Sequence, residues 1–165
     1  MQTIIFFTSF DLDIQRKFRA NLYNMTSSIV YEGNLRTVCT HLQSNSQIQT
    51  DAPLDNQGRG ERFSPTDLLA TSLGACALTI MGIKARDLNV DMAGTKIDIQ
   101  KIMKADPRRV GVINLTFHFP ETVFADEKQR LIIERCAHTC PVFYSIHPDI
   151  ELNISFQWSA SLISK

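Results

Sequence analysis

The chain has 165 residues, 44% of them hydrophobic, which is enough to bury the core of one compact domain without any call for a second. Lys plus Arg equals Asp plus Glu at 17 each, so the basic excess that marks nucleic-acid or anionic-membrane binding is missing, and a small neutral ligand is the expected partner. Four cysteines in a chain of this size, without the basic start of a secretory signal, are expected to be reduced thiols in the cytoplasm.

Residues 1 to about 24 show no sustained period and are expected to form an extension ahead of a domain over 25–165, with Met25 as an alternative start. Ser28–Tyr31 and Arg36–His41 flank Glu32-Gly33-Asn34 and predict a hairpin, because Gly and Asn tolerate positive φ in the turn. From Gln43 to Arg62 the chain is polar and rich in Asn, Gln, Asp and Gly, which predicts a short strand followed by a long loop. Ser64-Pro65-Thr66-Asp67 is a helix start, with Pro at the first position and Asp favoured by the dipole.

That helix is predicted to run to about Arg86. Its residues are apolar or small almost all round, which predicts burial inside the molecule. The charge-free run Leu68–Ile83 is 16 residues long and contains Thr71, Ser72, Gly74 and Thr79, too short and too polar for a membrane span. Alternation at Ile97 and Ile99, and again at Ile113, Leu115, Phe117 and Phe119, predicts adjacent antiparallel strands. A second helix is predicted from Asp126 to about His138, ended by Pro141, and Ile150 to Trp158 alternate as a final strand. The fold class read from this order is α+β.

Two stretches carry chemistry: Phe63-Ser-Pro-Thr-Asp-Leu-Leu-Ala-Thr-Ser-Leu-Gly-Ala-Cys76 and Cys140-Pro-Val-Phe-Tyr-Ser-Ile, with their cysteines 64 residues apart. Together they resemble the paired motifs of the OsmC/Ohr family over roughly residues 26–160. The resemblance implies antiparallel sheets packed around two central helices, an intertwined homodimer, and a peroxidatic Cys76 with Cys140 as its resolver. It also implies an Arg and a Glu beside the reactive cysteine. Arg36 is the expected cation and Arg62 the second candidate. The position of the Glu is held by Thr66, with the shorter Asp67 one residue on.

Such a pair reduces a peroxide without metal or organic cofactor, through a sulfenic acid and then a disulfide that an unidentified thiol reductant reopens. Cys76 in mid-helix gains nothing from a helix N-terminus and needs a nearby cation to ionise; read without the motif it is an ordinary core thiol. Cys140, with Pro141 at a first helical position, is expected near the positive end of a short helix that favours its thiolate; its bland reading is a Cys-Pro turn. Leu69, Leu73, Phe143 and Ile146 offer an apolar lining suited to an organic hydroperoxide rather than bare hydrogen peroxide. The alternative is a ligand-binding or structural dimer whose thiol is not activated. Cys136, His138 and Cys140 lack a second ligand pair and are not read as a metal site, Cys39 is assigned to the core, and His41, His118 and His147 to the hydrogen-bonded surface.

Overall fold

The computed structural model describes residues 25–159, so the expected extension over 1–24 lies outside the described residues. The described residues gather into two compact units that meet between Ser64 and Pro65.

The N-terminal unit contains β1 (Ser27–Gly33), β2 (Arg36–His41) and β3 (Gln47–Asp51), antiparallel in the order β1-β2-β3. The hairpin forms as the sequence predicts. Gly33, Asn34 and Leu35 turn through φ of 88°, 50° and 62°, values that Gly and Asn adopt at low cost. After β3 the polar segment makes a 3-10 turn, Leu54–Asn56, and folds back, Gly58 N–H donating to the Pro53 carbonyl and Gly60 N–H to that of Ala52. A Cβ on Gly58 would stand 1.7 Å from the Ala52 oxygen, so no larger residue fits there. Cys39 is only half-buried, a correction to its assignment to the core: the unit's one described helical piece is a three-residue turn, too small to cover a sheet face.

The second unit comprises α1 (Pro65–Asp87), β4 (Lys96–Lys104), β5 (Arg109–Phe119), α2 (Glu127–Cys136), α3 (Pro141–Ser145) and β6 (Glu151–Trp158). In α1 the buried residues Ala70, Leu73, Gly74, Ala77, Met81 and Ala85 recur at steps of three and four, so they form one stripe. Burial all round, which the composition predicted, is not what one chain provides: Leu69 and Ile83 remain exposed. The 23-residue helix is long and apolar enough by composition to cross a membrane, unlike the shorter charge-free run within it. Its stripe nonetheless packs on β4, and Gly74 permits the approach, since a Cβ there would lie 2.7 Å from Cδ1 of Ile99.

β4 and β5 pair antiparallel, Ile97 opposite Phe117 and Ile99 opposite Leu115. β6 takes the other edge of β5 and runs parallel to it, the one exception to the expected antiparallel pairing. The cause is the connection: α2 and α3 form a crossover that carries the chain back to the end from which β5 started, and a strand begun there must run the same way. A capping box starts α2, Gln129 N–H donating to Asp126 Oδ1 at 2.8 Å and Asp126 N–H to Gln129 Oε1 at 2.9 Å. Trp158 ties the helix to β6: Nε1 donates to Glu134 at 2.7 Å, Arg130 lies over the indole, and Phe119 stacks on it. The helix stops at Cys136, short of the predicted His138, and a 3-10 turn, Ala137–Thr139, leads into Cys140.

Candidate functional site

Cys76 lies at the middle of α1, half-buried between the core residues Leu73 and Ala77. Cys140 is the N-cap of α3, extended at φ −76°, ψ 151°, with Pro141 opening the helix. Because α3 packs against α1, the 64-residue gap closes, and Cys76 comes near enough to act on the Cys140 thiol. All four cysteines are free thiols.

Cys140 Sγ accepts the Phe143 N–H at 3.4 Å, so the sulfur does reach the positive end of α3. The expected thiolate does not follow. The side chain has 0% exposure, and burial pushes the thiol up; the Phe143 N–H opposes this only in part, while the Cys76 side chain adds to it. A five-residue helix supplies too little field to offset the loss of water.

The expected apolar lining divides. Leu73 is fully buried and serves the core, whereas Leu69 is exposed. Phe143 and Ile146 are half-buried beside Cys140 and pack on the same core, with His138 edge-on to Phe143 at 5.9 Å. Thr66 and Asp67 are half-buried in the first turn of α1. Asp67 accepts from Lys101 Nζ at 2.5 Å, and Lys101 is the one charged residue at an inward position of β4.

Arg36 belongs to the N-terminal unit and is engaged there. Its Nε and Nη2 donate to Oδ1 and Oδ2 of Asp51, both at 2.7 Å, and Nη2 also donates to Glu61 at 2.7 Å. Asp51 is buried at 2% exposure and takes a further N–H from Glu61. The hydrogen bonds to Asp51 and then Glu61 push Arg36 up, and Arg36 in turn holds the Asp51 carboxyl below its usual range. Arg62 is exposed and donates to Gln49 Oε1 at 3.1 Å. Sequence reasoning missed Asp51, Glu61 and Lys101. Asp51 had a signal, since it stands directly across the ladder from Arg36 once β2 and β3 are paired; Glu61 arrives only through the fold of the loop.

The histidines are hydrogen-bonded as expected: His41 with Ser44, His118 with Asp98, and His147 accepting the Asp149 N–H. Among the described residues no group of three or more His, Cys, Asp or Glu is arranged to hold a metal ion.

Residues 58–155, which include both cysteines and most of the second unit, match the family model for OsmC-like proteins. The chain is an OsmC-like protein. A crystal structure of a proposed osmotic stress induced and detoxification response protein from Psychrobacter arcticus is 53% identical at a TM-score of 0.77, covering 81% of this chain and 96% of the other. An organic hydroperoxide resistance protein from Legionella pneumophila is 15% identical at 0.64, covering 81% and 98%, and an OsmC-like protein from Mycoplasma pneumoniae is 15% identical at 0.67, covering 81% and 96%. These last two share the OsmC-like fold. No curated protein matches the chain. The α+β architecture is thus that of the OsmC/Ohr proteins, a family with stress-response members.

Proposed function

We propose that this OsmC-like protein reduces organic hydroperoxides with Cys76 as the peroxidatic and Cys140 as the resolving thiol. The observation that carries the reading is the nearness of the two cysteines, one half-buried on α1 and the other sealed at the start of α3. The Cys76 thiolate attacks the terminal oxygen of the hydroperoxide, the O–O bond breaks, and the alcohol leaves with a proton while Cys76 becomes a sulfenic acid. Cys140 then displaces hydroxide as water and closes a disulfide. Two reductant thiols return both cysteines to the thiol state, and the chemistry asks for no metal or organic cofactor. The apolar groups beside Cys140, Phe143 and Ile146 among them, favour an alkyl or aryl hydroperoxide over hydrogen peroxide.

A homodimer belongs to this proposal. Leu69 and Ile83 on α1, and Ile29, Val30 and Tyr31 on β1, are apolar groups that one chain leaves in water, and a second copy would cover them.

A second reading, an OsmC-like binding or structural dimer without an activated thiol, draws on two observations. Arg36, the expected cation, already carries two carboxylate partners, and Thr66 stands where the family Glu was expected. The experiment is to treat the reduced protein with one equivalent of cumene hydroperoxide and map disulfides by peptide mass spectrometry. The peroxidase reading expects a Cys76–Cys140 link, reduced Cys39 and Cys136, and no thiol-dependent turnover in Cys76→Ser. Turnover that survives Cys76→Ser sinks it, and a Cys76 that oxidises no faster than free cysteine favours the second reading.

A further inference from the structure

The two sulfurs of the pair differ in one respect that bears on how a disulfide between them is reopened. Thiol–disulfide exchange proceeds in line: the attacking sulfur approaches one disulfide sulfur from the side opposite its partner, so the sulfur with an open far side is the one attacked. Cys140 has no such side. It has 0% exposure, sits within the core among residues that include Leu73, Ala77 and Ala137, and its remaining direction is taken by the Phe143 N–H. Association with a further chain can add cover and cannot remove it. Cys76 is half-exposed in the same unit.

We propose that the thiol reductant of this protein enters at the sulfur of Cys76, so that the mixed disulfide forms there and Cys140 is the departing thiol. This rests on reading the two cysteines as a redox pair. A reductant thiolate bonds to Cys76 Sγ, the Cys76–Cys140 bond breaks, and Cys140 leaves with the electron pair, its charge held by the Phe143 N–H until a proton arrives. A second reductant thiolate attacks the reductant's own sulfur in the mixed disulfide, releasing the Cys76 thiolate and an oxidised reductant disulfide; two thiols are oxidised and one protein disulfide is reduced. Leaving-group strength argues the other way, since burial pushes Cys140 up and a thiol so shifted departs reluctantly. Access decides, because the alternative requires a nucleophile to pass through packed core.

The test uses the full chain oxidised with diamide, which leaves hydroperoxide chemistry out of the experiment. After a short pulse of glutathione and an acid quench, peptide mass spectrometry locates the glutathione adduct. The expected result is an adduct on the Cys76 peptide in at least tenfold excess over the Cys140 peptide, and loss of that preference when the pulse is given in guanidinium chloride. Comparable labelling of both cysteines in the folded protein, an excess on Cys140, a preference that persists in denaturant, or failure of diamide to link Cys76 to Cys140 would each overturn the proposal. A protein that shows the preference but does not turn over cumene hydroperoxide loses the peroxidase reading and keeps this one.

Discussion

Replacing Cys140 by Ala or by Ser separates what its sulfur does for the fold from what it does for the chemistry. Cys140→Ala removes one fully buried heavy atom from the core, a loss of about 1 kcal/mol in transfer and residual cavity. It also removes the acceptor of the Phe143 N–H, about 0.5 kcal/mol for a weak sulfur cap at 3.4 Å. The sum, about 1.5 kcal/mol, corresponds for 165 residues to a fall in Tm of about 3–6 °C. Cys140→Ser keeps the cap with a better acceptor but buries a hydroxyl, and is expected to lie between Ala and the parent. Circular dichroism at 222 nm against temperature reads both values. On the chemical side, neither variant forms a disulfide with Cys76 after hydroperoxide, and Cys76 proceeds past the sulfenic acid to sulfinic acid. A Cys140→Ala protein with unchanged Tm contradicts the packing argument; one that still links Cys76 to another cysteine at the parent rate contradicts the resolving role.

Stability should also depend on pH through Cys140: because burial pushes its folded value up, its contribution is whole below the unfolded value of about 8.5 and is lost as pH rises through the folded one. Urea unfolding above pH 9 should show this loss in the parent and not in Cys140→Ser, and equal slopes refute it. Asp51 works in the opposite sense. Held low by Arg36, its contribution is present above about pH 4 and disappears as pH falls through the folded value, so Asp51→Asn should abolish the acid sensitivity of β2 amide exchange. Gly74→Val places a Cβ 2.7 Å from Ile99 Cδ1 and should cost about 1–3 kcal/mol in guanidinium unfolding; an unmoved midpoint means that α1 and β4 are not in close approach.

The elements were legible because each carries its own local signal. Pro65 marks the start of α1, the Gly33-Asn34 turn sets the first hairpin, and strict alternation gives β4, β5 and β6. Less legible was whatever depends on a partner far away in sequence. Nothing in Ile150–Trp158 states that the strand runs parallel to β5, since periodicity has no direction; that information sits in the length of the crossover. Leu73 and Leu69 look alike in sequence, and only the position of the sheet decides that one is sealed and the other wet. That Cys76 and Cys140 come near one another was accessible through the two motifs, whereas the rise of the Cys140 thiol was not, because a Cys-Pro step announces a helix end but not how deeply it is buried.

The parallel pairing of β6 with β5 has a consequence for biosynthesis. The segment that bridges them, residues 120–150, contains α2, the 3-10 turn, Cys140 and α3, so Cys140, unlike Cys76, is carried on the connection that this pairing closes. Until β6 has left the ribosome and docked, one edge of β5 stands open and Trp158 is not there to hold α2. A nascent OsmC-like chain therefore carries Cys140 before β6 exists, and the closed edge of β5 and the Trp158 tie to α2 are among the last features of the fold to form.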